Sequence, residues 1–501
     1  MYGRIAFRHL ALRPGRTLML LAGYGVGVAV MIVLLSIGEA LLAQARQEKL
    51  VGGGDITVLP EGIDLEVLKT GGLGGMFFSI DHARFVYLQL LASPRLAPNV
   101  RAVAPQIEGS LLYLRAADGS ERPVRATGEI PSRTRAVGAV PALAAGEWTD
   151  DEGDRRWIAP TPAELRDDID HFHLPPAELT AAQRATWAEW HYFNVLSDDR
   201  KRWAFVTLLA GGDIPNGRWG GQVLVTLREQ GGRERRYVAL VPPTGVHLST
   251  TRADLDVGES RVRVLPDGRY EVHARARSTT GAEEATVNLV VEPAPGAYFP
   301  GAASGGEVVS GYAVPALRAA ATGSICTGGR CEQFAGAQAY HDHNWGTWQG
   351  VTWEWGAARA GSFTFLYGRV DTPGSERGAL FLYLVDSLGF RALFRPSRID
   401  YEGSRTILVD GSPVRVPTRA LMADVRGDDT LRVELEIEDA IGTDMRRGAE
   451  RGARGATLPR PYFIQMKGIA HLTGRLAGRP LGATGSGFFE TYVGGSPGVR
   501  E

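Results

Sequence analysis

Apolar and polar residues alternate along many short segments in the C-terminal part of the chain. Clear cases are Tyr270–Arg277, Phe363–Tyr367 and Leu431–Glu438. Because successive side chains of an extended strand point to opposite faces, this period of two predicts strands with one buried and one wet face. Turn sequences such as Pro266–Gly268 and Val409–Pro413 separate the strands. Many short strands with few helical patterns predict a mainly β fold, and a region of about 300 residues is long enough for two tandem β-barrels.

The N-terminal residues follow a different pattern. No charged residue occurs from Thr17 to Gly38, and about 20 apolar residues suffice to cross a bilayer as a helix. Four arginines and no acidic residue precede this segment, so the positive-inside rule places residues 1–16 in the cytoplasm. A cleaved signal peptide is the alternative, because Ala43–Ala45 reads AQA, but signal h-regions are typically about 7–15 residues long. We therefore expect a single-pass protein of the cytoplasmic (inner) membrane, with the bulk of the chain in the periplasm.

Charge and cysteine content narrow the range of partners. The net charge is −1, so a nucleic-acid role has no electrostatic support. The two cysteines, Cys326 and Cys331, flank a Gly-Gly pair and fall on the predicted outer side of the membrane, where disulfides persist. We predict a small hairpin disulfide between them. A metal site that combines them with His341 and His343 is the alternative.

The segment AYHDHNWGTWQGVTWEWG, from Ala339 to Gly356, concentrates tryptophans and histidines around two carboxyls. One possible role is metal binding, because His341 and His343 would share one face of an extended strand, with Asp342 on the other. The third ligand would be a distant histidine: His191, His273 or His471. Histidine pairs with this spacing are common, so our leading prediction includes no metal and no other cofactor.

A second possible role is acid catalysis by Asp342. Tryptophan and tyrosine rings around a carboxyl remove it from water, which raises its pKa and lets it donate a proton near neutral pH. His341 and His343 would orient Asp342 or relay protons. Electron-rich rings nearby would stabilise a cationic intermediate, and the segment supplies Trp345, Trp348, Trp353 and Trp355.

A third possible role is structural. Trp353 and Trp355 would share one face of a strand, with Glu354 on the other, and Asn344–Gly346 would form a turn. The residue types alone leave the structural, acid-catalytic and metal roles open.

The motifs YHDHNWG and WEWG resemble the signature of carotenoid 1,2-hydratases (hydroxyneurosporene synthases) and of the related AttH-like proteins. The segments EWHYFN, Glu189–Asn194, and GSGFFETYVGG, Gly485–Gly495, extend the likeness to about residues 187–495. The resemblance implies two lipocalin-like β-barrels and an apolar, lipid-like or isoprenoid ligand. It also implies that Asp342 is the proton donor, with His341 and His343 beside it. The expected substrate-binding residues are Trp190, His191, Tyr340, Asn344, Trp345, Trp353, Glu354 and Trp355.

The N-terminal segment RHLALRPGRTLMLLAGYGVGVAVMIVLLSIGEALLAQA, followed by GGGDITVLPEG, resembles the start of an FtsX/MacB-type ABC transporter permease. The likeness covers about the first 65 residues and weakens to about residue 145. It implies a small α+β extracytoplasmic segment after the transmembrane helix. It also implies ABC transporter subunits as partners.

Together these patterns predict six consecutive regions. They are a cytoplasmic tail (1–16), a transmembrane helix (17–38), a permease-like segment (39–145), a linker (146–183), a first lipocalin-like barrel (184–335) and a second (336–501). Within the linker, His171 and His173 flank Phe172 in a predicted surface loop, with metal binding as the alternative.

We expect a membrane-anchored protein that binds a hydrophobic small molecule or lipid. The reaction would be hydration or hydrolysis with acid catalysis by Asp342, as in a carotenoid 1,2-hydratase-like lyase or an AttH-like hydrolase. The alternative is a non-catalytic, lipid-binding accessory component of an ABC transport system.

Overall fold

A computed structural model describes residues 14–47, 56, 58, 80–138, 149–279, 283–304, 310–348, 350–372, 377–445 and 460–494. Its chain divides into two compact units. The first comprises Met1–Phe78 and Arg101–Asp151, and the second comprises Ser79–Val100 and Glu152–Glu501.

The helices of the described residues are mostly short. They are α1 (Pro14–Gln47), α2 (Ile80–Ala92), α3 (Pro131–Ala136), α4 (Glu152–Ile158), α5 (Pro162–Asp170) and α6 (Ala181–Arg184). Single 3₁₀ turns occur at Ala97–Asn99, Ile214–Asn216 and Pro243–Gly245.

The described strands fall into three groups along the chain. A hairpin comes first, with β1 (Gln106–Arg115) and β2 (Glu121–Glu129). The next group is β3 (Trp187–Leu196), β4 (Arg202–Asp213), β5 (Arg218–Glu229), β6 (Arg235–Val241), β7 (Val246–Leu248), β8 (Leu255–Val257), β9 (Ser260–Val264), β10 (Tyr270–Ser278), β11 (Glu284–Pro293), β12 (Phe299–Ser304), β13 (Ser310–Thr327) and β14 (Arg330–Thr347). The last group is β15 (Thr352–Ala360), β16 (Phe363–Asp371), β17 (Phe381–Asp386), β18 (Gly389–Phe394), β19 (Asp400–Glu402), β20 (Arg405–Val409), β21 (Ser412–Val416), β22 (Arg419–Arg426), β23 (Asp429–Asp444), β24 (Tyr462–Leu476) and β25 (Arg479–Val493).

The first unit contains α1, the β1–β2 hairpin and α3. Within α1, Pro14–Val33 is long and apolar enough to cross a membrane, and none of it is buried by other parts of the protein. Its exposed apolar side chains include Leu18, Met19 and Tyr24. Among the described helices this is the one that meets the length and composition of a span.

Eight strands of the second unit form a closed barrel. They pair in the order β11, β13, β14, β3, β4, β5, β6 and β10, and β10 pairs back onto β11 to close the ring. On β10 the side chains of Tyr270, Val272, Ala274 and Ala276 all face the core and are buried, as the period of two predicts. We call this assembly the closed barrel.

Nine later strands form an open, curved sheet, which we call the half-barrel. Their order is β18, β17, β16, β15, β25, β24, β23, β22 and β19, and the β20–β21 hairpin covers part of their core. The prediction of a mainly β protein with two tandem barrel units is confirmed. The half-barrel is not closed, because its two edge strands, β18 and β19, are short and pair only with their inner neighbours.

Strand β14 carries YHDHNWG, Tyr340–Gly346, which we call the histidine-rich motif, and belongs wholly to the closed barrel. It lies between β13 and β3 and pairs with β3 from Gln338 to Thr347. The predicted division at residue 336 therefore falls inside this strand. Asn344–Gly346 continue the strand instead of forming a turn, since each residue pairs across to β3.

The described part of the predicted linker packs against the closed barrel. Thr161 and Glu164 form a capping box that fixes the start of α5. Asp170 and Phe172, at and just beyond the end of α5, are buried. The expected surface loop at His171–His173 is therefore a segment that closes over the barrel interior. Phe172 is part of the apolar core, which explains why this polar stretch does not stay free in solvent.

A disulfide joins Cys326 and Cys331 across the turn between β13 and β14. Gly328 and Gly329 form this turn with positive φ angles, a conformation that glycine adopts without steric cost. The other end of the same strand pair carries the histidine-rich motif.

Candidate functional site

Alternation along β14 divides the histidine-rich motif between two environments. His341 and His343 point into the closed barrel, on the same side as the core residues Ala337 and Ala339. Tyr340 points the other way and packs in a cluster with Trp355, Leu366 and Tyr383 of the half-barrel. Asp342, two residues on, accepts a hydrogen bond from Tyr340 and so lies on that second side.

This division corrects the expected role of the two histidines. The described hydrogen bonds of His341 and His343 go to Asp170, to Glu189 and to the backbone oxygen of Tyr192, and none goes to Asp342. The histidines therefore do not orient Asp342. The reason is the period of the strand, which places residues 341 and 343 opposite residue 342.

The face toward the half-barrel holds what we call the inter-barrel site: Tyr192, Tyr340, Asp342, Trp353, Trp355 and Glu490. The Tyr340 hydroxyl donates to Asp342 Oδ2 at 2.8 Å, and Asn344 Nδ2 donates to Oδ1 at 2.7 Å. Trp355 Nε1 donates to the Tyr340 oxygen at 2.8 Å. Side chains, and not backbone amides, therefore hold the Asp342 carboxyl.

Glu490 is the second carboxyl of the inter-barrel site. It pairs directly with Trp355 across strands β25 and β15. The Tyr192 hydroxyl and Trp353 Nε1 each donate to it at 2.8 Å, one to each carboxyl oxygen. Sequence reasoning quoted the segment Gly485–Gly495 but did not single out Glu490. The signal was a lone acidic residue among buried aromatic positions of a strand.

Burial dominates the electrostatics of these two carboxyls. Burial and, to a smaller extent, the neighbouring Glu490 charge raise the pKa of Asp342 to about 8 against the opposing hydrogen bonds from Tyr340 and Asn344. Burial likewise raises the pKa of Glu490. Two nearby carboxyls in a dry environment do not readily ionise together, so the pair retains a proton near neutral pH.

A small pocket opens beside the inter-barrel site. Its walls include Tyr192, Leu317, Tyr340, Trp355, Phe488 and Glu490. Glu490 and Tyr340 both line the pocket, and Asp342 is connected to it through its hydrogen bond with Tyr340. Apolar and aromatic side chains line the pocket together with polar groups, a combination that is found in small-molecule sites.

The expected substrate-binding residues separate into several places. Tyr340, Asn344, Trp353 and Trp355 come together at the inter-barrel site. Trp190 packs on Trp348 at a ring separation of 4.8 Å, near the same face.

The remaining three expected residues lie elsewhere. His191 lies inside the closed barrel, and Trp345 stacks on His173 at 4.0 Å. Glu354 points to the opposite face of β15, where Thr491 and Tyr401 donate to it and Arg460 pairs with it. These three residues do not line the inter-barrel pocket.

The interior of the closed barrel holds a second polar group, which we call the internal cluster: Asp170, Glu189, His191, Tyr270, His341 and His343. His343 Nδ1 lies 2.5 Å from Asp170 Oδ1, and His341 Nε2 lies 3.0 Å from Asp170 Oδ2. His191 Nδ1 lies 3.4 Å from Asp170 Oδ1.

Further contacts complete the internal cluster. Tyr270 donates its hydroxyl proton to Asp170 Oδ2 at 2.7 Å. Glu189 Oε1 lies 2.9 Å from His343 Nε2 and 2.9 Å from His173 Nδ1. Every member of the cluster is buried.

Charge and burial compete within the internal cluster. Burial favours a neutral Asp170, but the three surrounding imidazoles outweigh it and hold the pKa of Asp170 well below its usual range. Burial holds the pKa of His191 well below its usual range despite the nearby Asp170. Burial also opposes a charged His343, but Asp170 and Glu189 raise its pKa to about 10.

Three members of the internal cluster could hold a metal ion. Asp170, His191 and His343 each offer one ligand atom, and these atoms lie within 4.8 Å of one another. Of the candidate third ligands for the histidine pair, the structure brings His191 to the cluster. His273 instead lies on the outward face of β10, and His471 is in the half-barrel.

Sequence reasoning missed Asp170 and Glu189. Asp170 is 171 residues from His341 in the chain and lies in a stretch that reads as a polar linker. The acidic residues just before HFH were its only local signal.

Comparison with known proteins gives distant structural likenesses. No protein-family model matches the chain, and no curated protein matches it. A protein assigned as AttH from Nitrosomonas europaea has 15% identity and a TM-score of 0.44, covering 64% of this chain and 97% of its own. Kievitone hydratase from Nectria haematococca has 13% identity and a TM-score of 0.38, covering 61% of this chain and 88% of its own.

A third similar structure is CghA in complex with Sch210972. It has 12% identity and a TM-score of 0.39, covering 67% of this chain and 96% of its own. An AttH protein and a hydratase are thus among the structures to which this chain is similar. The permease resemblance of the N-terminal residues receives no support from these comparisons and stays a prediction.

Proposed function

We propose that the inter-barrel site catalyses acid–base chemistry, the addition of water or a hydrolysis, on an apolar small molecule. The observation that carries this proposal is the Asp342 carboxyl, which is buried, has a pKa of about 8 and is hydrogen-bonded through Tyr340 to the pocket. A carboxylic acid that keeps its proton at neutral pH is suited to general acid catalysis.

A proton path to the pocket runs through Tyr340. The path requires the Tyr340–Asp342 hydrogen bond to reverse when Asp342 is protonated, so that the carboxylic acid donates to the Tyr340 oxygen and the Tyr340 hydroxyl turns to the substrate. Asp342 then passes its proton to the Tyr340 oxygen while the Tyr340 hydroxyl proton moves to an alkene carbon or to a leaving oxygen of the substrate. The Tyr340 hydroxyl is thereby restored, and Asp342 is left as a carboxylate. Trp355, which donates to the same oxygen, holds the phenol in position.

Glu490 takes the complementary role of base. Tyr192 and Trp353 fix both of its oxygens at the pocket wall. In a hydration, a water molecule attacks the cation and gives its proton to ionised Glu490. Transfer of that proton back to Asp342 resets the pair, so that the net change is the addition of one water. The faces of Trp and Tyr rings stabilise the intermediate cation by about 0.5–2 kcal/mol for each ring that it meets.

The pocket has room for about one water molecule in its enclosed part. We therefore propose that only the reactive end of a lipid-like or isoprenoid ligand enters between the barrels. A second candidate function is a non-catalytic lipid-binding accessory component of an ABC transport system, which is favoured by the Tyr192–Glu490 hydrogen bond between the closed barrel and the half-barrel. In that case the carboxyl pair only joins the two barrel units.

The two candidate functions differ in what the Asp342→Asn variant carries. Asn preserves the shape and cannot supply the proton. We expect a hydrophobic compound to accumulate on the full-length variant purified in detergent and to be depleted from the parent, as measured by mass spectrometry of extracted ligands. Tyr340→Phe should behave like Asp342→Asn, because it interrupts the proton path and keeps the ring.

Glu436→Gln is the matched control, since it makes the same kind of change at a carboxyl on the solvent side of β23. Its ligands should equal those of the parent. An identical set of ligands on the parent, Asp342→Asn and Tyr340→Phe would refute catalysis and support the carrier function.

A further inference from the structure

The three histidines of the internal cluster share one arrangement. In each ring the nitrogen on the far side from Asp170 faces an oxygen acceptor: Ala253 O for His191, Tyr192 O for His341 and Glu189 Oε1 for His343. The other nitrogen of each ring faces the Asp170 carboxylate. Three imidazoles from two strands thus converge on one carboxylate.

This arrangement matches the way in which proteins prepare histidines as metal ligands. A ligating histidine donates its remote N–H to a carboxylate or a backbone carbonyl, which fixes the tautomer and turns the other nitrogen's lone pair toward the metal. Two histidines have such a partner. His343 Nε2 lies 2.9 Å from Glu189 Oε1, and His191 Nε2 lies 3.1 Å from the Ala253 carbonyl oxygen.

His191 supplies an independent observation. Its Nδ1 is buried and has no hydrogen-bond partner among the described residues, although it points at Asp170 Oδ1 only 3.4 Å away. With Nε2 donating to the Ala253 carbonyl, a neutral His191 presents a lone pair to a carboxylate oxygen. Two acceptors that face each other in a dry interior are unfavourable, and a cation between them removes the conflict.

We propose that Asp170, His191 and His343 bind one divalent transition-metal ion of the zinc type inside the closed barrel. The donor set of two imidazole nitrogens and one carboxylate oxygen suits such ions. The ion displaces the proton from His343 Nδ1 and in its place balances the two buried carboxylates, Asp170 and Glu189. His341, on the second oxygen of Asp170, positions that carboxylate.

The two separations between the histidine nitrogens and Asp170 Oδ1 are compatible with zinc ligation after small adjustments, and all three ligand atoms lie within 4.8 Å of one another. Ligand atoms of a tetrahedral zinc site are separated by about 3.3 Å, given bonds of about 2.0 Å. The His191–Asp170 separation of 3.4 Å fits this value, and the His343–Asp170 separation of 2.5 Å needs to widen by less than about 1 Å. Because all three ligands are fully buried, the role of the site is to fasten the end of α5 to the barrel wall.

The test uses the full-length protein without a polyhistidine tag, purified in detergent and stripped with a chelator. Reloading with Zn²⁺ or Co²⁺ is followed by elemental mass spectrometry, and the Co²⁺ form by visible absorption. We expect one ion per chain and the absorption of a low-coordinate nitrogen–oxygen site. Failure to retain a stoichiometric ion of either kind would overturn the proposal.

Variants assign the site to these residues. His191→Phe should weaken Zn²⁺ binding at least 100-fold, and Glu189→Gln should weaken it about 10- to 100-fold through His343. His273→Gln and His471→Gln are matched controls, because these histidines hydrogen-bond to Asn288 and Thr484 outside the cluster. Equal Zn²⁺ binding by the parent and by His191→Phe would contradict the assignment.

A second measurement covers the case in which His191→Phe does not fold. Zn²⁺ should raise the thermal unfolding midpoint of the stripped parent, and the chelator should reverse the rise. An unchanged midpoint over the whole Zn²⁺ titration would also overturn the proposal. None of these readouts depends on the inter-barrel site, which lies on the other face of β14.

Discussion

At the scale of single residues, the period of two is the most informative signal in the histidine-rich motif. It predicts correctly that His341 and His343 share one face and that Asp342 takes the other. It also predicts correctly that Trp353 and Trp355 lie on one face of β15 and Glu354 on the other. What the sequence could not provide is the set of partners. Glu490 and Asp170 are far from the motif in the chain, and neither has a distinctive local pattern.

The raised pKa of Asp342 makes stability depend on pH. The folded pKa of about 8 exceeds the unfolded value of 3.8, so between these values the folded state binds more protons than the unfolded state. The free energy of unfolding therefore falls as pH rises from about 4 to about 8. We expect Asp342→Asn, which stays neutral, to lose less stability than the parent between pH 5 and pH 9.

Thermal unfolding of both proteins over this pH range checks the prediction. The expected difference at pH 9 is on the order of several kcal/mol, in favour of the variant. Glu436→Gln should follow the parent at every pH. Parallel curves for the parent and Asp342→Asn would show that the Asp342 pKa is close to its ordinary value.

At the scale of elements, the sequence predicts individual strands but not whether those strands close into a barrel. Alternation locates β10 and β23 because each has one wet face, whereas β16 is buried on both faces. Whether a sheet closes depends on the pairing of β10 with β11, for which no single segment carries a signal. The segment after α5 was misjudged for a related reason, since its polar composition is that of a linker and its buried contacts are all distant in sequence.

Phe172 tests the position of this segment. Its ring lies 5.1 Å from the ring of His191 and 4.9 Å from that of His343, and it is almost fully buried. Phe172→Ala should therefore lower the free energy of unfolding by about 3–5 kcal/mol, because it leaves a cavity in the barrel core. Denaturant unfolding measures this loss.

Leu174→Ala is the matched control for Phe172→Ala. Leu174 lies two residues further on and is 60% exposed, so its truncation should change the free energy of unfolding by no more than about 0.5 kcal/mol. Equal small effects of both substitutions would restore the interpretation of this segment as a free linker.

At the scale of the whole molecule, the chain combines one apolar N-terminal helix with a large β protein. Composition alone predicts the helix, because uncharged runs of this length are rare outside membranes. The mainly β class follows equally from alternation and turns. The sequence cannot give the side of the membrane beyond the arginine bias, and the permease-like resemblance adds a prediction about partners that remains to be tested.

The expectation that α1 anchors the protein in a membrane gives a further prediction. We expect the full-length protein to stay with membranes after alkaline carbonate extraction. Val28→Arg places a charge near the centre of the apolar segment at a cost of about 2.5–3.5 kcal/mol for insertion, and should release a fraction of the protein. Val425→Arg, at an exposed position of β22, serves as the control. A purified chain that begins just after residue 45 would instead establish a cleaved signal peptide.

Strand β14 separates two sites, because one of its faces contributes to the internal cluster and the other to the inter-barrel site. A substitution on β14 changes only the site that the replaced side chain faces. Inserting a single residue before Tyr340 would turn every later side chain of the strand to the opposite face. Asp342 would then point into the closed barrel, and His341 and His343 would point toward the half-barrel. Strand β14 should therefore tolerate substitutions better than insertions or deletions.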